Sequence, residues 1–364
     1  MKRTIALVAV TALLAATLLL VGCNQTQTSD PMPEHGQADA NEPLRVIATI
    51  FPQFDFVRQI AGDRVALSML ISPGAESHGF EPTARDIIAL NEADLFIYVG
   101  GHGDTWVASI LASLDRDDLR SVALVELVDT VVSDHHDHDH HHNGHHHDHS
   151  HDHHHGHSHN HDNGHHHSHA DDHAYDEDHD HHGHHHHEPH LDEHVWTSPQ
   201  NAIMIVRALT DILAEMDPDN AEFFRENAEA YIAELQALDQ AFAEVVAQGV
   251  RNTVIFGDRF PFRYLMDAYG LRYYAAFPGC SAETQASPAT IAYLIQKVRN
   301  ENIPIVFYIE FSNRMIANVI AEDTDAQLLE LHSTHNVSHS DFNAGVTYLE
   351  LMRRNVEQLR EALS

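Results

Sequence analysis

Cysteine and basic residues are both scarce in this 364-residue chain. Only Cys23 and Cys280 occur, and 20 lysines and arginines stand against 55 aspartates and glutamates. The formal net charge of -35 argues against nucleic acid and against an anionic membrane surface as partners. Cations are the expected counterpart of such a chain.

The motifs of common metal-dependent and nucleophilic hydrolases are also missing. His187-Glu188-Pro189-His190 lacks the spacing of a His-Glu-x-x-His zinc helix and contains proline. The chain has no Gly-x-Ser-x-Gly nucleophile elbow and no glycine-rich phosphate loop. A zinc hydrolase would need an open coordination position and a general base beside it. We therefore predict that the protein is not an enzyme.

The N-terminus has the layout of a secretory signal. Lys2 and Arg3 precede an apolar run from Ile5 to Val21, and Gly22-Cys23 follows, which resembles a bacterial lipoprotein signal with Cys23 as the lipidated residue. An uncleaved anchor helix is the alternative, and both predict an extracytoplasmic protein held at the membrane. Residues 1–23 form the predicted signal and 24–43 a flexible tether. Cys280 is then left without an intramolecular disulfide partner.

One segment departs completely from globular composition. Residues 134–190 carry 30 of the 37 histidines and almost no apolar side chains. Such a segment cannot offset the entropy of ordering, so we expect a disordered loop in the absence of metal. Dense histidine and aspartate should bind several divalent ions weakly. The representative accessory ligands are His135, His136, His138, His140, His141, His142, His184, His185, His186 and His187.

The rest of the chain alternates strand-like and helix-like pieces. Nearly continuous apolar strands such as Leu95 to Val99 and Ile305 to Ile309 alternate with helical spacing, which predicts parallel sheets in an α/β fold. We divide the body into a β/α lobe over 44–197 with the insertion, a helical linker over 198–249, and a second β/α lobe over 250–364. Among the individual elements, a strand is expected over Val122–Val128, helices opened by Thr83 and by Ser198-Pro199, and a final helix over Asp341–Leu363.

Candidate metal ligands follow strands or precede helices. His78 comes directly after a strand, His194 lies just before a helix, and His332 and His335 lie between the last strand-like piece and the final helix. Ligands of open α/β folds gather beyond the carboxyl ends of strands, and imidazole suits zinc. Cys280 could add a thiolate, although a lone cysteine is more often a small apolar filler. Trp196 is interpreted as packing around the site.

These segments resemble the solute-binding proteins of zinc and manganese ABC transporters, over about Arg45 to Leu363. Gly74–Pro82 is similar to the family's first-ligand loop, Asp192–Pro199 to its second-ligand motif, and Tyr348–Met352 with Asn355 to its closing helix. The resemblance implies two β/α lobes joined by a long connecting helix, with the metal site in the interlobe cleft and His78 and His194 as ligands. It also implies a membrane permease as partner. The histidine-rich insertion lies where zinc-type members have one.

The third ligand departs from the family pattern. Counting back from Phe262-Arg263-Tyr264 puts Arg259 at the usual histidine, and arginine stays protonated and cannot ligate a metal. Asp258 is one substitute. The family's late ligand falls near His332 to His335; the spacing to Tyr348 favours His335, and the neighbouring strand pattern leaves His332 possible. Glu310 resembles an acidic family position and is expected to orient an imidazole.

The expected function is capture of a transition-metal ion and its delivery to a membrane transporter by a monomeric carrier. Imidazole ligands favour Zn2+, with Mn2+ as the alternative because manganese prefers more oxygen ligands. A cell-surface metal buffer, in which residues 134–190 are the whole function, is the other alternative. Two lobes that each supply ligand candidates argue against it.

Overall fold

The computed structural model describes residues 42–75, 80–101, 103–114, 116–130, 191–277 and 286–364. The strands are β1 (Arg45–Ala48), β2 (Ala66–Met69), β3 (Leu95–Tyr98), β4 (Arg120–Ala123), β5 (Thr253–Phe256), β6 (Arg272–Ala275), β7 (Ile305–Tyr308) and β8 (Gln327–Glu330). The helices are α1 (Phe51–Ala61), α2 (Ala84–Glu92), α3 (Thr105–Ser113), α4 (Pro199–Met216), α5 (Ala221–Gln248), α6 (Arg263–Tyr269), α7 (Pro288–Glu301), α8 (Met315–Thr324), α9 (His339–Asn343) and α10 (Tyr348–Leu363).

The strands form two parallel sheets of the same topology. The first has the order β2-β1-β3-β4 and the second the order β6-β5-β7-β8. All pairings are parallel, for example Ile47 opposite Phe96 and Val306 opposite Leu328. The central strands β5 and β7 are buried at every position, which explains their continuous apolar sequence. The predicted α/β fold with two parallel-sheet lobes is therefore confirmed.

Two long helices connect the sheets. Ser198 accepts a hydrogen bond from Asn201 N at the start of α4, as predicted, and Pro199 is the first helical residue. The 18-residue α4 ends at Met216, and a turn through Pro218 leads into the 28-residue α5. One continuous apolar core contains residues of both sheets together with these helices. The two lobes therefore share a core within the unit Pro43–Ser364.

The C-terminal segment returns to the first lobe. Asp55 in α1 accepts a hydrogen bond of 2.6 Å from Tyr348 N, and Arg58 donates to Val346 O at 2.7 Å. Burial raises the pKa of Asp55 above its ordinary value. The Arg58 guanidinium and the Tyr348 N–H act in the opposite direction but do not cancel this effect. These contacts fix the last helix against α1 and limit relative movement of the lobes.

Several predicted boundaries were wrong for local reasons. The strand expected over Val122–Val128 ends at Ala123 and continues as a 3-10 turn at Leu124–Glu126. The final helix begins at Tyr348 instead of Asp341, because Gly345 has a φ of 75° and Thr347 caps α10 in a box with Glu350. The short helix α9 and the helix α3 were not anticipated.

Among the described residues, no helix is both long enough and apolar enough to cross a membrane. The predicted signal with Cys23, the tether up to residue 41 and the insertion 134–190 lie outside the described part of the chain.

Candidate metal centre

His194 is held by a carboxylate two residues earlier. Asp192 Oδ1 accepts from both His194 N and His194 Nδ1, each at 2.9 Å. Both side chains are buried. A carboxylate can only accept, so Nδ1 carries the proton and Nε2 is the unprotonated ring nitrogen. Burial opposes ionisation of Asp192, yet its pKa lies below the ordinary value because the His194 imidazole and N–H favour the carboxylate.

His335 lies in a loop after β8 that is fixed from several directions. His335 N donates to Ser333 Oγ at 3.2 Å, and His335 O accepts from Phe51 N of the first lobe at 3.3 Å. Between Ser333 and His335, Thr334 is buried and has a φ of 60°. A β-branched residue in the left-handed region is strained, so the surrounding hydrogen bonds must impose this loop course.

The folded chain brings His194 and His335 together. Their ring centroids are 6.0 Å apart, although the residues come from different lobes. With a zinc–nitrogen bond of about 2 Å, each ring centroid would lie about 3 Å from the ion, so two imidazoles on one tetrahedral zinc have centroids about 5 Å apart. The observed separation is about 1 Å greater, so a small inward movement of one ring would let both imidazoles bind one ion.

Trp196 forms the wall behind this imidazole pair. Its ring centroid lies 5.4 Å from that of His194 and 5.2 Å from that of His335. Its Nε1–H donates to Ser333 O at 2.9 Å, and its carbonyl accepts from the Tyr348 hydroxyl at 2.7 Å. Trp196 packs beside the site as interpreted, and it also hydrogen-bonds the two ligand segments to each other.

The structure gives His332 and His335 different surroundings. His332 Nδ1 accepts from Thr334 N at 2.9 Å, and Asn355 holds the His332 main chain through Oδ1 and Nδ2. His332 Nδ1 lies 3.8 Å from Glu310 Oε2, which is beyond hydrogen-bond range. The His332 ring thus stabilises the loop through a main-chain contact, whereas the His335 ring faces the other imidazole.

Glu310 acts on this loop through Ser333. Its Oε2 accepts from Ser333 N at 2.7 Å, and its Oε1 accepts from the Ser333 hydroxyl. The Ser333 hydroxyl also accepts a hydrogen bond from His335 N. The buried Glu310 carboxylate therefore fixes the backbone that leads to His335. Glu310 was expected to orient an imidazole directly. Its described hydrogen bonds are instead to Ser333, two residues before His335.

Asp258 and Arg259 lie at the carboxyl end of β5. Asp258 is buried, and its carboxylate accepts from Arg259 N at 2.8 Å and from Ile309 N at 3.4 Å. Both oxygens therefore serve main-chain groups of the second lobe. That Asp258 is a substitute metal ligand stays a prediction. These contacts do not favour it, because both of its oxygens accept main-chain hydrogen bonds.

Glu193 and Asp104 are a carboxylate pair that borders the site and that sequence reasoning missed. Gly103 N donates to Glu193 Oε1 at 2.6 Å, and a Cβ at Gly101 or Gly103 would come within 2.8 or 2.6 Å of the Glu193 side chain. Burial raises the pKa of Asp104, the Glu193 carboxylate adds to this, and the His335 imidazole opposes it. The position of Glu193 and Asp192 directly before His194 was the available signal. Negative charge here favours a bound cation.

The remaining predicted ligands and the predicted lipidation residue fall on other parts of the chain. His78, Cys280, Cys23 and the histidines of 134–190 lie outside the described residues. Within the described part of the chain, no three His, Cys, Asp or Glu side chains form a group that could hold a metal. The centre there consists of the His194–His335 pair with its acidic and aromatic surroundings.

Comparisons with known proteins match almost the whole body. The family model described as zinc-uptake complex component A, periplasmic, covers residues 46–362. The zinc-binding lipoprotein AdcA of Streptococcus pneumoniae is 28% identical over 328 residues, which are 89% of this chain and 57% of AdcA. The high-affinity zinc uptake system protein ZnuA of Bacillus subtilis is 27% identical over 350 residues, or 96% of this chain and 95% of that protein.

A solved structure agrees with this. The crystal structure of the Zn(II)-bound ZnuA-like domain of S. pneumoniae AdcA superposes with a TM-score of 0.65 at 25% identity, over 88% of this chain and 99% of that domain. This chain spans only 57% of the full length of AdcA, so the likeness concerns one part of that protein.

Proposed function

We propose that this chain, which belongs to the periplasmic zinc-uptake complex component A family, binds one zinc ion and delivers it to a membrane transporter. The observation that supports this most directly is the 6.0 Å separation of the His194 and His335 rings across the two lobes. His78, which follows the described turn at Ser72–Ala75, is the proposed third ligand. Arg259 then takes no part in coordination.

Zinc is the proposed metal because the facing side chains are imidazoles. Borderline-soft Zn2+ accepts three or four nitrogen ligands in tetrahedral geometry, whereas Mn2+ prefers carboxylate and water oxygens. Asp192 raises the basicity of His194 by accepting a hydrogen bond from its Nδ1–H, and a carboxylate is a usual partner of a zinc-bound histidine. Zinc-binding proteins among the relatives support the same choice.

Release by small loop movements is proposed over wide opening of the lobes. The lobes share one apolar core, and Tyr264 of the second lobe donates through its hydroxyl to Asp192 O of the first at 2.8 Å. A wide hinge would break these contacts and expose apolar surface. The proposed division into 44–197, 198–249 and 250–364 follows the two sheets and the helices between them.

The remaining features fit a carrier at the membrane. We propose anchoring through lipidated Cys23, a permease of an ABC transporter as the partner, a monomeric state and no enzymatic activity. Relatives named as a zinc-binding lipoprotein and as a zinc uptake system protein support anchoring and transport. Residues 134–190 are proposed as an accessory segment that binds zinc weakly and concentrates it near the cleft.

Zinc titration against a competing chelator tests this function. The proteins are the full chain, a variant without 134–190, and the full chain with His335→Ala or His332→Ala. We expect one tight zinc per chain in the first two proteins, its loss in His335→Ala and its retention in His332→Ala. Loss of the tight site on deletion of 134–190 would instead favour the surface buffer. Loss in His332→Ala but not in His335→Ala would reverse the assignment of the late ligand.

A further inference from the structure

The buried Asn336, next to His335, hydrogen-bonds to the first lobe. Asn336 Nδ2 donates to Ser72 O at 3.0 Å and to Ala75 O at 2.9 Å. Its Oδ1 accepts from Val337 N at 2.8 Å. The residue is 4% exposed, so these bonds form away from bulk solvent. An amide has two donor hydrogens, and both are used on the same short turn.

That turn is docked on the second-lobe loop by the main chain as well. Gly74 N donates to Val337 O at 2.8 Å, and Ala75 N donates to Ser72 O at 3.1 Å. Gly74 has a φ of 74°, which glycine adopts without strain. Ala75 lies three positions before His78 in the sequence. The chain therefore enters its first-ligand segment from a turn that Asn336 holds.

On its other side, the His335 loop is tied to both lobes. His335 O accepts from Phe51 N, and Ser333 is bound by the Glu310 carboxylate of its own lobe and by the Trp196 indole of the other. These contacts leave the backbone at His335 little freedom. The Asn336 amide joins this loop to the first-lobe turn at Ser72–Ala75.

We propose that Asn336 is a positioning residue that couples the His335 loop to the first-lobe turn at Ser72–Ala75 and thereby sets the rate of zinc release. This rests on the proposed zinc site, to which His194 of the first lobe and His335 belong. An ion leaves when its ligands separate, and the two Asn336 bonds oppose separation of the turn from the His335 loop. Supporting contacts behind metal ligands typically contribute about 10- to 100-fold in affinity. Because Asn336 holds segments and does not touch the ion, we expect its contribution in the dissociation rate.

The test uses two substitutions in the full chain. Asn336→Asp keeps the shape and the acceptor for Val337 N but removes both donors, and Asn336→Ala removes the whole amide. The matched control is Asn227→Ala, since Asn227 Nδ2 donates to Ile60 O at 3.0 Å and joins α5 to α1 away from the centre. Each protein is loaded with less than one equivalent of zinc, so that weaker sites stay empty, and mixed rapidly with excess chelator.

Both Asn336 variants should release zinc about 10- to 100-fold faster than the parent, whereas Asn227→Ala should stay within about threefold. Thermal unfolding separates this effect from a general loss of stability. Asn336 variants that lose as much stability as Asn227→Ala and still release zinc at the parent rate would overturn the proposal. A parent that holds no zinc against the chelator would instead refute the proposed function, so the two failures are distinguishable.

Discussion

Replacing Asp192 with asparagine tests how the centre is oriented. In the structure, one carboxylate oxygen accepts from both the main-chain N and Nδ1 of His194, each at 2.9 Å. Asparagine has the same shape, and its oxygen can still accept from one or both groups. The negative charge is lost, however, and with it the strong preference for a proton on Nδ1. Neutral hydrogen bonds are about half as strong as those made to a charged group.

The expected cost follows from that loss. Removing a carboxylate behind a metal-bound histidine typically lowers metal affinity about 10- to 100-fold, which corresponds to about 1.4–2.8 kcal/mol. We expect Asp192→Asn to fall in this range, because the pair is buried and solvent does little to compensate for the lost charge. The tight site should survive with lower affinity, since the nitrogen that would bind zinc is retained.

Chelator competition measures this change, with Asp217→Asn as the control. Asp217 likewise accepts from a nearby main-chain N–H, that of Asn220 at 3.3 Å, but it lies in the turn between α4 and α5. The control should bind zinc like the parent. Zinc affinity of Asp192→Asn within about threefold of the parent would refute the view that this carboxylate orients and activates His194.

Three further outcomes are expected. Glu310→Gln should lower the free energy of unfolding by about 1–3 kcal/mol in urea, because one of the two donors of Ser333 loses its buried acceptor. Thr347→Ala should cost about 1 kcal/mol in the same assay by removing the cap of α10, while leaving zinc affinity unchanged. Zinc affinity should fall as the pH drops below about 6, because an imidazole must be neutral to ligate; pH-independent binding down to about pH 5 would exclude histidine ligands.

Local signals in the sequence anticipated much of the fold. Continuous apolar strands predicted two parallel sheets, and Thr83 and Ser198 were expected to open helices because their side chains can cap free N–H groups. Errors arose where apolar sequence was ambiguous. Val122 to Val128 is apolar enough for a strand, yet only its first two residues pair with β3, at Ile97 and Tyr98. Strand length depends on the neighbouring strand, which a local pattern does not contain.

The candidate site divides in the same way. Residue type and position relative to strands and helices are enough to identify His78, His194, His332 and His335 as possible ligands. They do not decide between His332 and His335: spacing to Tyr348 favours His335, but the sequence of a loop does not give the direction in which a side chain points.

The sequence by itself thus determined the chain's α/β class and the chemistry offered to a metal, since periodicity and residue type are local properties. Tertiary structure decided that His335 faces His194, that Trp196 hydrogen-bonds a residue 137 positions away and that Asn336 grips a turn more than 260 positions earlier. Such contacts depend on how the two lobes pack around their shared core. Their distances follow from the whole chain and are not encoded in any single motif.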